Sequence, residues 1–428
     1  MGVNASLHAQ ASDDATPISY AQILQQPDNL QLVFTYAQQQ TEQGNLQVAA
    51  GALERLLLLE PEWDDARLYY AIILYRLDDM DGALREFEIL ETRDLSPAQM
   101  REVRRYTGLA DHNVADTRIS AIISAGLRYD TNRNLASDRD LGFGGPVGPI
   151  PLVIPKRDDG AVIGDVRLRI EQDLGSPDGH YVFAYGRGYL NKQFKVTIQD
   201  FLIGEVRAGG TFFFDRLQIT PYGKVEGLRI DDHHRLTEGG GGLALAYGVS
   251  PTWSFRGGFE IVSQNYTTTS NTPLSDLRDG ELYSPWAGFS YRIDRNNTFS
   301  ADVTYHIKDA RTNYYSFNEL DARIANFTLL GQGQYLLSEL RLWDFRADAP
   351  DPAYSSSVTR KDFRIKGRLA YGVPISTLAR WMGGDAPEAI DDMNVQVSGA
   401  YFHQNSNIPN FDLSNFTADI VFTKRLKF

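Results

Sequence analysis

At 428 residues and 48.0 kDa the chain exceeds the usual size of one compact domain, so two units or one large closed sheet are expected. Tyr and Phe number 22 each and Gly 37, yet mean hydropathy is −0.33, a pairing that suits strands with one apolar and one polar face. The net charge of −13 excludes a nucleic-acid partner, the lack of cysteine excludes a disulfide framework or thiolate metal site, and the densest apolar run, Leu56 to Leu59, is far short of the roughly 20 residues a membrane-crossing helix needs.

In chain order, residues 1–16 read as a polar remnant of a signal or linker, with Ala9-Gln10-Ala11 resembling the small-residue end of a secretory signal. Residues 17–112 read as a helical domain with an internal repeat of 34 residues. At that offset Tyr36 falls over Tyr70, Ala37 over Ala71, Ala49 over Ala83, Leu53 over Phe87 and Leu56 over Leu90. This is the tetratricopeptide register, in which small residues sit where paired helices cross and large ones fill the space between them. A further helix from about Pro97 to Leu109 would cap the second repeat through Val103 and Tyr106. In such repeats the first helices line a peptide-binding groove, which here makes Phe34, Gln38, Thr41, Leu68, Ile72 and Tyr75 the candidate partner-binding residues. A core or cap role competes with that reading, because a groove of two repeats is shallow.

From residue 117 to 428 the period changes from 3.6 to 2. Ile119, Ala121, Ile123, Ala125, Leu127 and Tyr129 alternate with Ser120, Ile122, Ser124, Gly126, Arg128 and Asp130. Val166, Leu168 and Ile170 alternate with Asp165, Arg167, Arg169 and Glu171. Tight turns at 176–179, 215–216, 250–252 and 294–297 alternate with longer connections near 131–160, 191–197, 231–235, 264–280, 309–316, 346–357 and 405–411. Strict alternation of short and long connections is what a closed barrel with one short-turn rim produces. Strands starting near 117, 161, 180, 199, 217, 236, 253, 282, 298, 318, 334, 359, 393 and 413 make fourteen, with a turn at Gly331 to Gly333 and one long connection, 374–392, on the short-turn rim. The fold class expected is therefore α+β in two domains: a small all-α tetratricopeptide domain, then a 14-stranded antiparallel transmembrane β-barrel.

Tyr129, Tyr181, Trp253, Tyr291, Tyr305 and Tyr401 are candidates for the interfacial girdles. In the last strand Phe416, Ala418, Ile420, Phe422, Leu426 and Phe428 share a face that Lys424 interrupts. The adjacent His233 and His234 read as part of a solvated connection, because neighbours in an extended chain point apart. Gly239 to Gly242 lies inside a strand with no Lys-Ser/Thr after it, so it reads as room for close strand contact or a bulky lumenal neighbour. The Gly- and Pro-rich stretch at 142–155 is too apolar for a freely solvated loop and is expected to fold into the lumen or meet a partner, a plain surface loop being the alternative. No catalytic constellation is found, so neither enzyme activity nor a cofactor is expected.

Two stretches, Tyr129-Asp130-Thr131-Asn132-Arg133-Asn134 and Asn405-Ser406-Asn407-Ile408-Pro409 with Phe411, together with the closing strand to Phe428, resemble the surface lipoprotein assembly modulators, the Slam family. The signature positions are Tyr129, Asp130, Asn132, Asn134, Ser406, Asn407, Pro409 and Phe428. The resemblance implies a monomeric translocator in the outer membrane of a Gram-negative bacterium, with helical domain and both termini in the periplasm. Its partners would be a client secreted protein or surface lipoprotein, haem- and metal-binding proteins included, besides outer-membrane lipid and the barrel insertion machinery that reads the closing strand. An exopolysaccharide export barrel and a general diffusion porin are the alternatives.

Overall fold

A computed structural model of the protein describes residues 18–26, 29–114, 116–139, 154–270, 272–384, 386–387 and 389–428. They form two units, one helical and one a closed sheet.

The helical unit contains α1 (Tyr20–Gln25), α2 (Leu30–Glu42), α3 (Leu46–Leu59), α4 (Asp64–Arg76), α5 (Met80–Glu91) and α6 (Pro97–Val114). The repeat is visible in the chain's geometry. Helices α4 and α5 begin 34 residues after α2 and α3, and the break inside each pair falls on a left-handed residue at matching positions, Gly44 (φ 83°) and Asp78 (φ 67°). Asp79 then caps α5 by accepting from the Gly82 backbone N–H at 2.9 Å. Asp64 and Asp65 in the first turn of α4 and Arg76 in its last turn oppose the helix dipole favourably. Ala37, Ala49, Leu53 and Leu56, and their counterparts Ala71, Ala83, Phe87 and Leu90, are all fully buried. Side chains of one size therefore recur at each helix crossing, and this is why one spacing serves both hairpins. The cap expected from Val103 and Tyr106 is present, since both are buried against Leu68, Ile72 and Phe87. The short α1 was not anticipated; a capping box between Ser19 and Gln22 starts it, and Ile23 packs on the first hairpin.

The second unit is one antiparallel sheet closed on itself. Its strands are β1 (Thr117–Asp130), β2 (Asp159–Asp173), β3 (Tyr181–Gln193), β4 (Phe201–Phe214), β5 (Leu217–Ile230), β6 (His233–Gly248) and β7 (Trp253–Tyr266). They continue with β8 (Gly280–Arg292), β9 (Asn297–Ala310), β10 (Phe317–Leu329), β11 (Tyr335–Ala347), β12 (Lys361–Pro374), β13 (Asn394–Ser406) and β14 (Leu413–Lys427). Each strand pairs with its sequence neighbours and β14 returns to β1, so no edge is left open. Fourteen strands is the expected number, and the turn at Gly331–Gly333 is where the sequence put it, with Gln332 and Gly333 both left-handed.

The alternation of short and long connections is not strict, however. The expected connection at 231–235 is a two-residue turn, Asp231-Asp232, in which both residues are left-handed (φ 51° and 58°). That is the type I′ hairpin geometry, which acidic residues tolerate and which matches strand twist. His233 and His234 therefore belong to β6, and the register slips between Leu228 and Arg229, leaving Arg235 as the extra residue of a bulge.

Side-chain alternation separates the two faces of the barrel. Leu127, Val166, Leu168, Val206, Val225, Phe255, Phe259, Val303, Leu369, Val397 and Phe416 are exposed on the outside. Charged residues at the intervening positions turn inward. An apolar exterior around a polar interior, in a closed sheet, is the make-up of a bilayer-spanning barrel of the outer-membrane type. No helix among the described residues is long and apolar enough to cross a membrane.

Of the expected girdle aromatics, Tyr129, Trp253, Tyr305 and Tyr401 are exposed on the outer face, and Tyr291 stacks on Trp253 at 4.4 Å. Tyr181 is a correction. Val182 and Leu190 take the outer positions of β3, so the tyrosine faces the lumen beside Arg169. Lys424 does sit on the outer face of β14, but at its rim end, where its Nζ donates to the Ala389 carbonyl at 2.7 Å and meets Asp392 at 3.4 Å. The long connection at 374–392 opens with a short helix, α7 (Ile375–Trp381).

Candidate functional site

The lumen carries a dense array of polar and charged side chains among the described residues. Asp165 of β2 is shared by Arg167 and by Arg187 of β3, each at 2.6 Å. Arg128 of β1 meets Asp419 of β14 at 2.6 Å, Arg256 of β7 meets Asp302 of β9 at 2.6 Å, and Arg323 of β10 meets Glu339 of β11 at 2.7 Å. Arg207 pairs with Glu205 and Arg341 with Asp321. Guanidinium groups also lie on lumenal rings, Arg169 on Phe183 at 4.5 Å, Arg341 on Trp343 at 4.7 Å and Arg207 on Tyr222 at 5.4 Å. Much of this charge remains open to solvent: 45 % of the Arg167 side chain and 42 % of Arg341. Among the described residues the interior is thus a wetted wall of ion pairs rather than a packed core.

One part of that wall depends on the glycine run. Gly240 and Gly242 of β6 face inward between β5 and β7, and a Cβ on Gly242 would lie 2.7 Å from the Tyr222 hydroxyl and 2.6 Å from the Phe259 carbonyl. The bare strand lets Tyr222 of β5 lie across β6 and donate to Glu260 of β7 at 2.8 Å. Lys224 follows the same route and is held by Glu226 (3.4 Å), Glu238 (3.4 Å) and Glu260 (3.3 Å). The sequence had suggested room for a bulky neighbour, and this is that room.

The two stretches that carry the family resemblance meet at one place, the long-loop rim beside the β14–β1 closure. Asn132 is fully buried. Its Nδ2 donates to the Ala136 and Ser414 carbonyls at 2.8 and 3.0 Å, its Oδ1 accepts from the Ala136 N–H at 2.9 Å, and its own N–H donates to Asn415 Oδ1 at 2.9 Å. Asn415 also donates to Asp130 at 3.0 Å, and the Ser137 hydroxyl donates to the Pro409 carbonyl at 2.5 Å. Asn134 holds the far side of the first loop by donating to the Pro155 carbonyl at 3.0 Å and accepting from Arg157 N–H at 2.8 Å. Asn407 reaches towards β12, accepting from Lys361 N–H and donating to the Thr359 carbonyl, both at 2.8 Å. Ser406 accepts from Ile408 N–H at 3.2 Å, and Tyr129 donates to Asp158 at 3.1 Å from the outer face. Phe428 lies apart from this group, two-thirds exposed, its backbone exchanging bonds with Ile119. These polar side chains fix loops and offer no reactive group.

Truncating Asn132 tests this directly. Asn132→Ala strands two carbonyls and an N–H in a buried corner, and a loss of about 2–3 kcal/mol is expected. It should appear as a lower temperature for the shift from folded to unfolded migration in detergent gels. An unchanged shift temperature would mean that the rim holds without it.

Most of the groove candidates make the core and cap contacts that competed with the groove reading. Phe34, Leu68 and Ile72 are buried. Phe34 packs on Trp63 and Tyr69, while Leu68 and Ile72 sit under α6. Tyr75 meets Tyr106 edge-on at 5.5 Å, and the Thr41 hydroxyl donates back to the Ala37 carbonyl. Gln38 is half-buried. The capping helix packs on the second hairpin and α1 on the first. His233 Nδ1 lies 2.5 Å from the Asp231 carbonyl and His234 Nε2 2.8 Å from Thr237 Oγ1, so the two rings part as adjacent strand residues do. Most of the apolar 142–155 stretch falls outside the described residues.

Sequence reading missed the lysine web and a second cluster on the long-loop rim. There Arg360 lies on the Phe411 ring at 3.4 Å and near Phe345 at 5.0 Å, while pairing with the buried Asp362 at 2.5 Å. A signal existed in the alternate basic positions Arg360, Arg364, Lys366 and Arg368.

No family model matches the chain and no curated protein matches it. Solved structures do. A bacterial polysaccharide outer membrane secretin is similar at 9 % identity and TM-score 0.37, covering 74 % of this chain and 99 % of its own. OccAB1 of Acinetobacter baumannii has 9 % identity and TM-score 0.37, covering 74 % and 97 %, and OprD of Pseudomonas aeruginosa 9 % and 0.36, covering 74 % and 95 %. A likeness this remote carries no argument about what the chain does.

Proposed function

We propose that the chain is an outer-membrane translocator of the Slam kind, which assists secretion or surface display of a specific client protein, a lipoprotein or a haem- or metal-binding protein. The observation that supports it most is the interlocked rim: Asn132 of the first resemblance stretch bonds to Asn415 in the closing strand, and Ser137, just past that stretch, bonds to Pro409 of the second, so segments more than 270 residues apart meet at one corner of the barrel. The 34-residue helical repeat is the other ingredient, and in this reading it is a tetratricopeptide domain that engages the client from the periplasm. The short-turn rim, where β1 starts and β14 ends, would then face the periplasm as well. The chain acts as a monomer without enzymatic activity or cofactor, surrounded by outer-membrane lipid and delivered there by the barrel insertion machinery.

A porin is the second reading, favoured by the wetted, charged lumen, which small solutes could cross without any client. Co-expression with each secreted protein encoded nearby, followed by protease shaving of intact cells, separates the two. The translocator reading expects one of those proteins to become protease-sensitive only when this chain is present. If none does, while the purified chain conducts ions in planar bilayers, the porin reading replaces it.

A further inference from the structure

The lumen does not carry its charge evenly. On the β5–β7 side three carboxylates surround the single ammonium of Lys224. On the β12–β14 side the excess is positive. Lys366 and Arg368 are lumenal on β12, and Arg425 is lumenal on β14. Among the described residues none of the three has an ion pair; Arg368 donates to the Ser398 hydroxyl at 3.3 Å, and Ser398 in turn donates to Asp419 at 3.3 Å. The charges that act on Lys366 include Arg128, Arg368, Glu339 and Asp419, and both carboxylates are already engaged, by Arg323 and Arg128 respectively. Arg368 and Arg425 both lie near Tyr335, whose hydroxyl donates to Gln396 at 3.1 Å. Lys366 and Arg368 therefore stand together on this wall, and Arg425 lies further along it towards the end of β14, eight residues past the Thr417 that is level with Arg368.

In a chain of net charge −13, cations left without counter-charges inside a membrane-spanning wall are costly unless an anion passes them. Alternate residues of a strand stand roughly 6.7 Å apart, the spacing at which Lys366 and Arg368 project. An extended polypeptide with an acidic side chain at every second position has the same pitch. A glycan would instead look for open aromatic faces, and the lumenal rings of Phe183, Tyr222 and Trp343 already carry guanidinium groups.

We propose that Lys366, Arg368 and Arg425 form a binding track for an extended acidic segment of polypeptide, held against the β12–β14 wall and repelled by the glutamates opposite. This rests on the translocator reading, the segment being part of the client as it passes.

The test uses the full chain in detergent and a fluorescent synthetic peptide of alternating glutamate and serine. Binding by the native chain, weakened about tenfold or more in the combined variant Lys366→Gln, Arg368→Gln, Arg425→Gln and weakened further by salt, is the expected result. Lys366→Gln alone, which removes no ion pair, serves if the triple variant fails to fold, with a smaller loss expected. A peptide of alternating lysine and serine should not bind. Equal binding of the acidic peptide by native chain and variants overturns the track, as does polygalacturonate binding more tightly than the peptide and losing more in the variants, which would make the wall a glycan site. Charge-dependent peptide binding with no protein displayed in the shaving assay would instead sink the translocator reading and leave the track standing.

Discussion

Replacing Phe87 with alanine is expected to unfold the helical unit of the full-length chain while the barrel keeps its heat-resistant migration in gels. Phe87 is fully buried, its ring stacked on Tyr106 at 6.1 Å and enclosed by Leu68, Ala83, Leu90 and Val103. It is the side chain through which α5 holds both α4 and α6. Removing a buried Phe costs about 3–5 kcal/mol in lost transfer energy and residual cavity, a large share of what a unit this small has in reserve. The helical circular-dichroism signal should melt tens of degrees lower, or be absent at room temperature. Burial also raises the Tyr106 phenol above its ordinary value, so its neutral form adds stability that is present below pH 10.0 and lost above it. In the Phe87→Ala protein that phenol should titrate like a free tyrosine. A melt unchanged from the native protein would show that the hairpins do not depend on this contact.

The second large effect is expected at Lys224. Lys224→Met keeps an unbranched side chain of nearly the same length and removes the one cation that, among the described residues, pairs with Glu226, Glu238 and Glu260. With its side chain only 9 % exposed, Lys224 is not a surface charge that water can replace freely. Breaking a buried ion pair by removing one partner costs about 3–5 kcal/mol, and lumenal water should bring this towards the lower end. The folded band should disappear at a lower temperature than in the native protein. Adding Glu260→Gln removes one of the stranded carboxylates and should return part of the loss, so the double variant is expected to be more stable than Lys224→Met alone. Additive losses in the double variant would mean that the web is not a unit.

Much of the barrel could be read from the chain because its two faces see different solvents. Val166, Leu168 and Ile170 meet the outside while Asp165, Arg167 and Arg169 meet water, and a period of two with that contrast fixes both strand and register. Helices α2 to α5 were legible because Ala37 and Ala71, or Ala49 and Ala83, occupy equivalent crossings that admit only small residues. What could not be read depends on neighbours distant in sequence. Asn132 and Asn415 look like ordinary loop polar residues until β14 closes on β1 and buries their amides together. Lys224 gives no hint of three glutamates on three strands. Tyr181 was put on the wrong face because a turn decides the phase of the strand after it, and Ser176-Pro177-Asp178-Gly179 does not state that phase in its composition. The Asp231-Asp232 turn hid for a related reason: five consecutive polar residues look like a long loop, and only the left-handed backbone of two of them shows that the chain reverses at once.

That abrupt reversal leaves the parapet of surface loops with one low point, between β5 and β6, while the neighbouring connections stand taller. Glu226 lies four residues below it, roughly 13 Å down the strand. A visitor arriving over this notch would meet Glu226, with Glu238 and Glu260 on the next two strands, so an acidic segment entering the mouth should be steered from this low side towards the basic β12–β14 wall.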